Sequence, residues 1–547
     1  MKPSLSDHAK AQSIRLMRRS HRRTLESTST RTYRRRAMPT SDAPRLAPAA
    51  RVYKGMGWLP TGLKAPVRLP REAKLPNSYY LPYYATSKVG WLLYGRNQIG
   101  EDLAWSEDLP WNDFFPGPPE GWSKFDEPGA ADDDTKFVAL RLQGPNPFML
   151  RAVAPGSTTY TLDFGPLFEG MFVPTEARFE LTDGVLAPTG VRLGGTEVTP
   201  TSPQWSNAKR IVDALDARYS VFIRHLLNVH LMVGQAYSLA AYSLPTWHPL
   251  RPFMHFFTYG TLVVNDAAYK ALLQPDSYFL RSNFVSAGDA QRLIENSMRA
   301  FDFTEWIWPL DREVRGLGAI AGHPYVEEAD EIWAAFEAMV DEHLTRIGFP
   351  DDDDGDRAVR RDADLVSWFR TFCDVLPGDE RVTLARIRGV EPEALDREDL
   401  PRIESRRELA LVMTALLWNN VVHEVCGNLT PLLRTKNPDD RRGVSFDHLR
   451  ALADHAMGAD VALPEPRAAD VFLMDQATYV SSFNVAGNNL IRTIGDRFID
   501  DPRLQESLGR LQRDLEAIEQ AATARNARRA IPFENMLPSK FEASISF

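Results

Sequence analysis

Two histidines five residues apart, His225 and His230, sit inside the apolar run YSVFIRHLLNVHLMV, which has no glycine or proline before Gly234. Neutral imidazoles converging from a buried helix suit Fe, Zn, Cu or Ni. In a regular α-helix five residues turn through roughly 500°, leaving the two side chains about 140° apart and unable to share an ion. A π-type turn of about 4.4 residues brings the same pair nearly into line, and such turns gather at functional sites. The spacing therefore predicts a local π distortion if the pair binds a metal; otherwise these are two unrelated core histidines, each bonded to a backbone carbonyl. A further histidine, His423, lies on a second strongly apolar run, RRELALVMTALLWNNVVHEVCGNL from Arg406. Taken alone, it reads as a satisfied core side chain.

Composition narrows the competing chemistries. The 547 residues include two cysteines, Cys373 and Cys426, so there is neither a disulfide framework nor a CxxC metal knuckle, and a reducing compartment is the simpler expectation. A formal net charge of -9 and the lack of any RNA or DNA motif argue against nucleic acid as a partner. With 44% hydrophobic and 10% aromatic residues a sizeable core can be buried. No apolar run reaches about 18 residues, so no membrane-spanning helix is expected. The acidic run PDDDDGD, Pro350 to Asp356, lacks the ligand spacing and closing Glu of an EF-hand and reads as a solvated loop.

The elements around the two histidines resemble a known family. HLLNVH, then seventeen residues to His248 of LPTWHPL, then Asn265, Ala268 and the adjoining LL, are similar to the iron-binding helix of the lipoxygenases and the helix next to it in the chain. Trp205, Ala208, Lys209 and Asp216 resemble the approach to that helix, and Gly144, Asn146 and Pro147 the Gly-x-Asn-Pro turn that ends an earlier one. Arg315-Gly316, the Tyr325 to Trp333 spacing, Trp368, and Leu515, Ile518, Glu519, Arg525 and Asn526 continue the likeness, which runs from Asp132 to Phe547. The chain closes Ser544, Ile545, Ser546, Phe547, close to the Ser-Ile-Ser-Ile tail whose terminal carboxylate binds iron in that family.

The resemblance implies a mainly α fold: a helical catalytic domain with long metal-bearing core helices and a small antiparallel sheet, here around the Asp183-Gly184 turn. It implies non-haem iron, with manganese as the lesser option, held by His225, His230, His423 and the Phe547 carboxylate. The family's weaker fifth ligand falls on Gly427, which has no side chain, so Asn428 or water would fill that place. Substrate contacts would come from Ala268, Tyr269 and Leu272. The small residue at the Ala268 position faces the reactive pentadiene in the family, Ala going with S and Gly with R products, and Tyr269 stands where an Arg is usual. The implied reaction is hydrogen-atom abstraction from a bis-allylic carbon of a polyunsaturated fatty acid, then addition of O2 to give a hydroperoxide. A divergent oxidase or isomerase acting on a fatty-acid hydroperoxide or another lipid is the alternative.

Residues 1–40 form a basic extension expected to be disordered, and residues 41–547 the catalytic domain. The first 80 residues lack the alternation of a β-barrel lipid-binding domain, so none is expected. No apolar export segment precedes the domain, so a cytoplasmic location with transient membrane-surface contact is expected.

Overall fold

The computed structural model describes residues 53–55, 64–66, 133–144, 146–271, 286–395, 401–423, 446–462, 489–493 and 501–545, with isolated positions between 273 and 280. The basic extension 1–40, the aromatic segment 77–122, Leu272, Asn428 and Phe547 lie outside the described residues; His423 is described in its backbone only.

Two short strands, β1 (Tyr53–Gly55) and β2 (Lys64–Pro66), pair antiparallel in a stretch whose sequence signals no strand. Helix α1 (Asp133–Gln143) leads into a five-stranded antiparallel meander: β3 (Arg151–Ala152), β4 (Thr159–Asp163), β5 (Thr175–Thr182), β6 (Val185–Leu193) and β7 (Thr196–Val198). Asp183 and Gly184, both at positive φ, make the β5–β6 turn that the sequence signals. Alternate residues of β5 are buried, and Phe179 stacks on Phe137 of α1 at 5.7 Å, so one sheet face packs on the helical body.

The body is built around one long helix. α2 (Trp205–Arg218) passes without a break into a π segment, Tyr219–Gly234, and then α3 (Gln235–Ala241), with helical backbone at both junctions. Nearly every residue from 211 to 242 is buried, as expected for a helix apolar on all sides. Around it come α4 (Arg251–Thr258), α5 (Thr261–Ala271), α6 (Ala287–Arg299), α7 (Trp308–Arg315), α8 (Pro324–Arg346), α9 (Asp353–Arg361), α10 (Ala363–Val375), α11 (Glu380–Arg388) and α12 (Arg406–Leu417). A second π segment, Trp418–His423, continues α12, and α13 (Phe446–Ala456), α14 (Leu490–Thr493) and α15 (Pro502–Asn526) complete the set. α10 packs on α3, α13 on α2, and α8 on both α12 and α15.

The acidic run is not a loop throughout. Asp352 caps α9, accepting the N–H groups of Asp354 and Gly355, and Asp353, Asp354 and Asp356 occupy its first turn, where the helix dipole favours negative charge. Likewise α5 begins at Thr261, one turn before the Asn265 start that NDAAYKALL suggests.

α15 returns the chain to the core. Arg525 pairs with Glu328 and Glu331 and Arg529 with Glu327 and Glu328, clasping it to α8. The Asn526 side chain then closes the next turn onto both the N–H and carbonyl of Phe533, and Glu519 accepts from the Ser539 N–H. The tail threads inward: Leu490 donates to the Phe541 carbonyl, the Ser544 hydroxyl to that of Tyr259, and Ile545 is fully buried.

Candidate metal centre

The π segment does what the five-residue spacing requires. It brings the Nε2 atoms of His225 and His230 to 3.1 Å, their rings nearly perpendicular at 82°. Two nitrogens about 2.1 Å from one ion and at right angles to each other would lie ~3.0 Å apart, so the pair fits adjacent ligand positions. His230 is buried and His225 half-buried.

The tautomer of His230 is set by its neighbours. The Asn265 Nδ2 donates to the His230 carbonyl at 2.7 Å and to Gln235 Oε1 at 2.6 Å. Its Oδ1 therefore faces His230 Nδ1 at 3.0 Å, and Nδ1 must carry the proton. That leaves His230 Nε2 a bare lone pair, as a ligand requires. The His225 Nε2–H donates to that lone pair across the 3.1 Å gap, and the same two nitrogens would hold a metal. Among the described side chains, no group of three His, Cys, Asp or Glu comes together to hold a metal.

Buried polar groups hold the helix in register. Asn146 of the Gly-x-Asn-Pro turn donates to both the side chain (2.6 Å) and the carbonyl (2.9 Å) of Asp216, while Arg141 reaches Asp213 at 2.6 Å and Asp216 at 3.2 Å. Lys209 and the Trp205 indole share Asp134 Oδ1, at 2.5 and 2.7 Å. Arg224, next to His225, is fully buried between the Phe148 and Trp306 rings, 4.4 Å from each centroid, and pairs with Glu305 at 3.0 Å. Glu305 also pairs with Arg315, which bonds Asp311 at 2.6 Å. Burial first, then the nearby Glu305 charge, pushes the Tyr219 phenol up to about 12, so it stays protonated.

The second π segment, which ends at His423, packs against the first. The chain end meets the same helix: a Cβ built on Gly234 would lie 2.6 Å from Ile545 Cδ1. His248 serves another end; its Nδ1 accepts the Leu250 N–H and its Nε2 meets Asp362, the cap of α10.

No protein-family model matches the sequence. A lipoxygenase crystal structure determined anaerobically with arachidonate is similar to the chain at a TM-score of 0.71, covering 91% of this chain and 80% of that one at 16% identity. In sequence, the Pseudomonas aeruginosa linoleate 9/13-lipoxygenase is 23% identical over 495 residues, 75% of this chain. The human polyunsaturated fatty acid lipoxygenase ALOX15B is 29% identical over 197 residues and the mouse hydroperoxide isomerase ALOXE3 29% over 194, each 34% of this chain. In sequence and in fold the chain is similar to lipoxygenases. The aligned parts span 66%, 28% and 26% of those relatives' own lengths.

Within this lipoxygenase fold, Ala268 is buried on α5, three residues after Asn265 and so on the same helix face. Tyr269 is partly buried against the core, its carbonyl accepting from Gln274. In the sequence Asn265 reads only as a marker of the helix after the histidines. Its bond to His230 is new from the structure, although an amide on an apolar run near histidines was the available signal.

Proposed function

We propose that the chain is a non-haem iron dioxygenase that converts a polyunsaturated fatty acid and O2 into a hydroperoxide. One observation carries the reading: two imidazole nitrogens 3.1 Å apart on a π-distorted buried helix, one of them held as a bare lone pair by Asn265. His423 is the third imidazole on this reading, the Phe547 carboxylate the fourth ligand and Asn428 or water the fifth. Nitrogen and oxygen donors of this kind suit iron, and manganese less well. Ile545, packed at Gly234 on the helix that carries the pair, supports the Phe547 carboxylate as a ligand. Bound iron would supply the one-electron oxidant for taking a hydrogen atom from a bis-allylic carbon.

The chain's own part is positioning and exclusion of water. Ala268 offers a small buried surface for the pentadiene on the face that carries Asn265, and the apolar surroundings keep water from the radical. Tyr269 cannot pair with a substrate carboxylate as an arginine would. A second reading, isomerisation of a fatty-acid hydroperoxide, is favoured by Gly427 and Tyr269 and by the similarity to a hydroperoxide isomerase.

Oxygen uptake by iron-loaded protein with linoleate and arachidonate, monitored with conjugated-diene absorbance, separates the two. Uptake with diene formation supports the first reading. No uptake rejects it, and consumption of a supplied hydroperoxide without uptake establishes the second.

A further inference from the structure

The π register does more than aim two imidazoles. At its end the Gln235 N–H reaches back five residues to the His230 carbonyl, where a regular α-helix would use the N–H of residue 234. The extra residue brings Gln235 to that carbonyl in place of Gly234, which has no side chain to offer. Gln235 Oε1 accepts from Asn265 Nδ2 at 2.6 Å, and the same Nδ2 donates to the His230 carbonyl at 2.7 Å. All three residues are buried.

An amide can turn over about its last bond, exchanging oxygen for nitrogen with little change of shape. Turned over, Asn265 would set its oxygen against two acceptors, Gln235 Oε1 and the His230 carbonyl, and would present an N–H to His230 Nδ1. The imidazole proton would then move to Nε2, the atom that faces His225. Each N–H of Nδ2 has its own acceptor, so Gln235 supplies half of what opposes the turn. We propose that Gln235 is a positioning residue for the metal centre: its side-chain oxygen locks the Asn265 amide, and through it the His230 tautomer, to the π register of the helix. The inference rests on the iron site proposed above and adds no ligand to it.

The test is a double-mutant cycle on iron retention by the full-length protein against a graded chelator. Gln235→Leu removes the acceptor and should weaken iron binding about 3–10-fold, a single hydrogen bond's share. Gln235→Glu keeps an oxygen acceptor for Asn265 and should hold iron within about threefold of wild type. In an Asn265→Leu background no amide is left to lock, so Gln235→Leu should change retention by less than about twofold. A Gln235→Leu protein that holds iron as tightly as wild type overturns the inference. So does a loss of the same size in both backgrounds, or equal weakening by Leu and Glu, either of which marks a packing defect. A wild-type protein that binds neither iron nor manganese overturns the metal centre itself and this role with it.

Discussion

Gly234 is where the π turn and the chain end meet, so replacing it by alanine perturbs both halves of the proposed shell at once. A Cβ there would press into the Val229 carbonyl, five residues back across the π turn, and lie 2.6 Å from Ile545 Cδ1. Gly→Ala inside a helix is ordinarily stabilising, by about 1 kcal/mol. Overpacking a closed core costs about 1–3 kcal/mol, and one of the two neighbours here is backbone while the other is a fully buried side chain. Set against the helix gain, the overlap leaves a net loss of up to about 2 kcal/mol, together with displacement of Ile545. Urea unfolding of Gly234→Ala should show the lower midpoint, and metal analysis less iron per chain. Ile545→Val in the same protein removes the Cδ1 and should restore about half of each loss. A Gly234→Ala protein more stable than wild type by the ordinary helix increment, with full iron, would refute this packing.

Asn265→Leu should weaken iron retention about 10–100-fold by freeing the His230 tautomer, measured by chelator competition. Arg224→Met should destabilise by about 2–4 kcal/mol in urea unfolding, because it removes a buried cation from two aromatic faces and from Glu305. Burial lowers the imidazole of His255 to about 3 and that of His343 to about 4, against about 6.5 in the unfolded chain. Their folded-state values are depressed, so their contribution is complete above about pH 6.5 and lost as pH falls toward about 4. Each should cost up to about 1.4 kcal/mol per pH unit, and unfolding free energies at about pH 7.5, 6.5 and 5.5 that rose toward acid would contradict this. On the proposed dioxygenase reading, where the resemblance pairs Ala with S and Gly with R products, Ala268→Gly should raise the R share of the hydroperoxide, as read by chiral chromatography.

Features encoded locally are legible in the chain. The five-residue His spacing, meaningless in an α-helix, points to the π turn, and Asp183-Gly184 between alternating strands marks the hairpin that joins β5 to β6. What depends on distant partners is not. Nothing near Asn265 in sequence says that its amide meets a histidine 35 residues earlier, and nothing near Glu519 or Asn526 says that they fold the chain end inward. The acidic run reads as a loop only while its charge is weighed ahead of its capping potential: an Asp before an acidic first turn is a helix start. The shell beyond His225 and His230 comes from resemblance alone.

The most direct measurement is the metal content of the purified full-length protein beside its His230→Ala variant. Close to one iron, or in its place manganese, per chain is expected in the first and a large loss in the second. Wild-type protein without either metal, or a His230→Ala variant retaining its full complement, would contradict the proposed metal centre.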